Sequence, residues 1–197
     1  MDLVALLATI ESALEAAKVE LAKGQPGQPA PAAATPPPKI VVPVGFAFGW
    51  MSIFGLNWDG SDDQGDEQPD GTPMKGAWGD ETHNKTVMGC ALPIKTLQLT
   101  FGSTAKPSGY VVNVYSLVTQ ELKQAEILDK GPSVRVGKPI DGTYALHNSL
   151  GHLDYGIERY GSYGQFPAAF PVIYWIEDKH GLTKPVLGWD NIAGHVA

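Results

Sequence analysis

The sequence is short of cysteine, of charge and of long apolar runs, and each shortage excludes something. Cys90 is the one cysteine, so no intrachain disulfide can form, and a buried, inert thiol is expected between Gly89 and Ala91. Charged residues make up 18% of the 197-residue chain and the formal net charge is -7. That balance argues against nucleic acid as a partner, because phosphates need a basic surface. No apolar stretch is long enough to span a bilayer. The opening Met-Asp-Leu lacks the basic region and small-residue cleavage site of an ordinary secretory signal, which leaves the localisation open.

What is abundant points to a β domain. Gly 23 and Pro 16 are high, and 43% apolar residues are enough for a core. Three regions follow one another. Residues 1–23 read as a helix with Leu3, Leu7, Ile10, Leu14, Ala17 and Leu21 on one heptad seam, flanked by Glu11, Glu15, Lys18 and Lys23. Asp2 suits its start and Gly24 its end. The helix either docks on its own domain or forms a short homo-oligomeric coiled coil through residues 3–21. Residues 24–39, GQPGQPAPAAATPPPK, read as a semi-rigid proline spacer. The head, 40–197, carries the strand signals: IVVPV, FAFGWMSIF, VMGCALP (87–93), the alternating KTLQLTF (95–101), YVVNVYSLV (110–118), QAEILD (124–129), PVIYWIE (171–177) and an edge strand KPVLGW (184–189). The runs at 110–118 and 124–129 read as a hairpin. Thr143 to Leu150 reads as a short helix capped by Thr143, and Gly161 to Gln165 as a flexible, Tyr-bearing loop. The expected fold is mainly β: a small six-stranded double-psi-like β-barrel with one or two short helices.

Metal chemistry has thin support. Asp59, Ser61, Asp63 and Asp70 loosely imitate a calcium loop, but Gln64 stands where the sharp turn needs Gly, so a solvated acidic loop is the expectation. The histidines (His83, His147, His152, His180, His195) lack metal-ligand spacing, and His147 and His152, at i and i+5, do not share a helix face.

A family resemblance rests on one stretch. Ile127-Leu-Asp129-Lys-Gly131-Pro132, then Gly137-Lys-Pro-Ile140-Asp141, then Ala145 to Leu150-Gly151, resembles the closing half of double-psi barrels of the rare lipoprotein A kind. Its aspartates also resemble those of the lytic transglycosylase A barrel and its three-aspartate relatives. Ala91-Leu92-Pro93 is similar to the Leu-Pro that opens a strand in these barrels. The resemblance covers about residues 46 to 178 and is specific only over 125–151. It implies action on peptidoglycan or another β-linked glycan, with Asp129 as an acid–base residue and Asp141 on the same rim. There are two departures. The family histidine falls on Gly89, with His83 six residues upstream as the substitute, and the family arginine is Lys130, which keeps the charge and loses the bidentate fork.

Without the family, Asp129 before Gly-Pro reads as a turn cap and Asp141 as a plain helix entry. Aromatic residues in polar, Gly-rich surroundings suit stacking on sugars: Trp78 above all, then Tyr160 and Tyr163, with Trp58 and Tyr155 nearby in composition. Two functions are therefore expected. One is a cell-wall or polysaccharide-acting protein, cleaving or only binding, whose tethered architecture suits a virion component released by lysis. The other is a non-catalytic structural or interaction module on an oligomeric stalk.

Overall fold

The structure, a computed structural model, describes residues 41–62, 75–132 and 138–188. These lie in the second of the chain's two compact units, Lys39–Ala197. The heptad helix, the spacer and the acidic loop beyond Asp62 fall outside the described residues, and so do the oligomer and most of the calcium reading.

Among the described residues seven strands form: β1 Ala47–Phe54, β2 Gly89–Leu92, β3 Tyr110–Ser116, β4 Leu122–Lys130, β5 Ile140–Thr143, β6 Phe170–Asp178 and β7 Thr183–Lys184. Their order is β1-β5-β2-β4-β3-β6-β7, and β6 pairs back onto β1, so the first six close into a barrel and β7 is an extra strand on β6. Closure leaves no free edge on the six. β1 with β5 and β2 with β4 run parallel, while the other barrel pairs are antiparallel. The expected fold class is therefore the observed one.

The inner face follows from period-two alternation. Ala47 and Met51 of β1, Val112 and Val114 of β3, Ala125 and Ile127 of β4, and Val172, Tyr174 and Ile176 of β6 all enter one core cluster. Tyr174 brings a polar tip into that core, and its hydroxyl donates to the Pro139 carbonyl at 3.1 Å. The expected hairpin is present as β3 and β4, with Val112 opposite Ala125.

Three strand expectations are corrected. Residues 41–44 of IVVPV form no strand, and of KPVLGW only Lys184 lies in one, β7. Residues 95–101 belong to a helix, α1, Ile94–Phe101. Its buried side chains are Thr96, Leu97 and Thr100. Thr96 and Thr100, four apart, lie on one helical face. The alternation of threonine and leucine imitated a strand.

The helix after β5 forms as expected. α2 spans Tyr144–Ser149, and the Thr143 hydroxyl accepts from the Leu146 N–H at 3.4 Å. The same oxygen accepts from Gly89 N–H at 3.1 Å and donates to the Val87 carbonyl at 2.6 Å, so one side chain joins the helix start to the entry of β2. A further helix, α3, His152–Tyr160, was not anticipated. Gly151 separates the two with φ 70°, a left-handed turn that favours glycine. The Tyr loop beyond α3 is a short 3-10 turn, Tyr163–Gln165. Phe166 pins it to α3, because its ring occupies the space that a Cβ on Gly156 would need.

Candidate functional site

The candidate site is a row of residues across the outside of β1, β5, β2 and β4. Ser52 is level with Asp141, Asp141 with Ala91, and Ala91 with Asp129. Asp129 reaches this row through an irregularity in the parallel ladder. Cys90 is opposite Ile127 and Ala91 opposite Asp129, so Leu128 is an extra residue on β4. Ile127 faces the core, and strict alternation would send Asp129 there too. The bulge turns it to the outer face, a common way to aim a side chain at a barrel rim.

Each carboxylate is anchored. Asp129 Oδ1 accepts from the Ala77 N–H at 2.6 Å and from the Lys130 N–H at 2.7 Å. Asp141 Oδ1 accepts from the Ser52 hydroxyl. Both aspartates are half-buried, and Ala91 between them is buried. The turn after β4, with its cis Gly131–Pro132 bond, folds back over this floor. A Cβ on Gly131 would lie 3.9 Å from Ala91 Cβ and 4.0 Å from Asp141 Oδ2.

Trp78 and Lys130 join the Asp129 end. The Lys130 ammonium sits 5.3 Å from the centre of the Trp78 ring, within cation–π range. Trp78 Nε1–H donates to the Thr104 carbonyl at 3.3 Å, and the ring packs partly on the core. Four of the residues singled out in the sequence, Asp129, Asp141, Lys130 and Trp78, thus share one rim.

The other three lie elsewhere. The His83 ring is buried, with Nδ1 3.5 Å from Asp62 Oδ1, in the turn region beyond β1. Tyr160 and Tyr163 pack against Phe166, with ring centres 6.2 and 5.2 Å apart. Phe166 in turn touches Trp58 at 5.6 Å. This second aromatic cluster lies over α2 and α3.

Position 89 has no room for a larger side chain. A Cβ on Gly89 would overlap Leu128 Cδ1 and lie 2.6 Å from Leu128 Cγ. The bulged leucine fills the space that an imidazole on β2 would take.

Sequence reasoning missed a buried imidazole pair. His147 Nδ1 and His152 Nδ1 are 2.8 Å apart, and both rings are fully buried. The i, i+5 spacing was read as keeping the two off one helix face; because Gly151 opens a second helix at His152, the rings meet. Burial pushes His147 down to about 4; burial first, then the neighbouring His147, pushes His152 down to about 2. Ser52 was also missed, since nothing local marks a serine in an apolar strand as a carboxylate's donor.

Among the described residues there is no group of three or more His, Cys, Asp or Glu placed to hold a metal ion. At the start of the acidic loop, Asp59 Oδ1 instead accepts from the Ser61 hydroxyl and N–H, which hold its carboxyl below the usual range.

No family model and no curated protein matches the chain. Among solved structures the chain is similar to the Streptomyces papain inhibitor, at 16% identity and a TM-score of 0.36, covering 73% of this chain and 98% of the inhibitor. So weak a likeness carries no argument about activity.

Proposed function

We propose that the head is a polysaccharide-binding barrel, with peptidoglycan or another β-linked glycan as its partner, and that it binds without cleaving. The observation that carries this reading is the shared rim of Trp78, Lys130, Asp129 and Asp141 around the Ala91 floor. An aromatic ring offers a flat apolar face, an ammonium offers donors and two carboxylates offer acceptors, which together complement a sugar ring. Asp129 and Asp141 lie two strand spacings apart, about 10 Å between Cα atoms.

Cleavage has less support. Protonating a glycosidic oxygen takes a positioned carboxylic acid, usually with a second group nearby. Asp129 Oδ1 already holds two backbone N–H groups and anchors the loop at Ala77. The histidine the family would place on β2 has no room beside Leu128.

A second reading, a protein-interaction module, is favoured by a different face. Leu122, Tyr115, Ile173 and Phe48 form one cross-strand row outside β4, β3, β6 and β1, with Trp50 beside it. Phe48, Trp50 and Leu122 are exposed.

Co-sedimentation with insoluble peptidoglycan, cellulose and chitin, with soluble sugar measured in the supernatant, separates these readings. The expected result is pelleting without sugar release, weakened in Trp78→Ala. Sugar release by wild type but not by Asp129→Asn would restore the lytic reading. No pelleting with any of the three leaves the interaction module.

A further inference from the structure

The hydrogen bonds around the buried histidines fix where every proton lies. The Ser52 carbonyl can only accept, so His147 Nε2, 3.1 Å away, carries the hydrogen. A neutral His147 then has a bare Nδ1, and His152 Nδ1–H must donate to it across 2.8 Å. That leaves His152 Nε2 bare, and it accepts from the Ser116 hydroxyl at 2.8 Å. The Ser116 oxygen in turn accepts from the N–H groups of Val118 at 3.3 Å and Thr119 at 3.2 Å. One directional chain thus runs from the β3–β4 turn through both rings to β1.

The chain leaves no place for another proton. A hydrogen added at His147 Nδ1 would face the N–H of His152, and one added at His152 Nε2 would face the Ser116 hydroxyl hydrogen. Aromatic rings pack against both imidazoles and keep water from them: Trp58 is perpendicular to His147 at 4.7 Å, and Phe170 of β6 stacks on His152 at 4.4 Å. The titratable groups on the packing elements are set back from the rings. Asp141 of β5 is reached through Ser52, and Tyr155 of α3, its phenol pushed up by burial, lies behind Phe170 at 6.2 Å. Cys90 of β2, its thiol pushed up by burial first, lies in the core cluster.

We propose that the His147–His152 pair is an acid-operated latch. Neutral, it clasps α2 and α3 to β1 and to the β3–β4 turn; protonated, it lets this cap open while the barrel stays closed. The cap carries Tyr155, Tyr160 and, just beyond α3, Tyr163, so acid would free the second aromatic cluster. The depressed basicity of both rings agrees with the direction. An opened histidine titrates near its ordinary value of about 6.5. At pH 4.5, two units lower, each histidine therefore favours opening by about 100-fold, and the pair by about 10⁴-fold.

The test is native-state amide exchange on the full chain between pH 7 and 4.5, corrected for intrinsic rates. Protection of cap amides such as Leu150, bonded to Leu146, and Tyr155, bonded to Gly151, should fall by orders of magnitude. Amides of the β3–β6 ladder should hold. His152→Phe keeps a ring against Phe170, removes one titrating group and the N–H that blocks His147 Nδ1, so its fall should be smaller by about 100-fold or more. Ring ¹⁵N shifts of wild type at pH 7 should show hydrogen on His147 Nε2 and on His152 Nδ1. Unchanged cap protection, a simultaneous loss in cap and ladder, or the opposite tautomers would each overturn the latch. Should His152→Phe not fold, the wild-type comparison of cap and ladder decides alone.

Discussion

At the scale of single residues, the rim is set by what surrounds Leu128. The bulged leucine turns Asp129 outward and fills the space in front of Gly89. Gly89→Ala should therefore destabilise the protein by about 1–3 kcal/mol through overpacking, read as a lower urea midpoint at unchanged slope. Gly89→His should destabilise at least as much and confer no sugar release. Asp129→Ala strands two N–H groups, while Asp129→Asn keeps an acceptor for them. The alanine variant should lose about 1 kcal/mol more than the asparagine variant in the same denaturation experiment. The turn at Asp129 was legible because an Asp close before Gly-Pro is a local signal, and the helix entry after Asp141 because Thr143 is a local cap. Ser52 was not, since it lies 89 residues from the Asp141 that it holds and a serine in an apolar strand gives no hint of its partner.

At the scale of elements, one hydroxyl and one pair of rings set how the helical cap is joined. The Thr143 oxygen joins the start of α2 to Gly89 and Val87. Thr143→Val should cost about 1–3 kcal/mol, more than an ordinary cap, because the Val87 and Gly89 groups lose their partner as well. The histidine pair adds an acid limit. Both rings titrate lower folded than unfolded, so their stabilising effect is complete above about pH 6.5. It is lost as pH falls from there, through about 4 for His147 and toward about 2 for His152. Thermal midpoints from pH 7 to 4 should fall more steeply in wild type than in His152→Phe. The alternating strands, the hairpin and the capped helix were readable because each depends on neighbours in sequence. Two things were not. The helix α1 shares its alternating threonines and leucines with a strand, and only its packing decides between them. The histidine pair depends on Gly151, whose left-handed turn joins two short helices where one was expected.

At the scale of the whole molecule, closure of six strands gathers the apolar residues inside and leaves the candidate site on the outer rim. Cys90 lies in that interior and burial pushes its thiol well above the ordinary range. It should resist alkylation at neutral pH in the folded protein and react fully in denaturant, as mass spectrometry would show. The proposal of a glycan as partner rests on the family resemblance and on the rim together. Position 89 and the two N–H bonds on Asp129 turn that expectation from cleavage toward binding.

The most direct measurement of that claim is a ¹H–¹⁵N titration of the full chain with soluble β-linked oligosaccharides from chitin, cellulose and peptidoglycan. Saturable shifts in the Trp78 indole N–H and in the amides of Ala77, Ala91 and Gly131, without new sugar ends appearing, are the predicted result. Spectra unchanged at these positions with all three sugars would contradict a saccharide site on this rim.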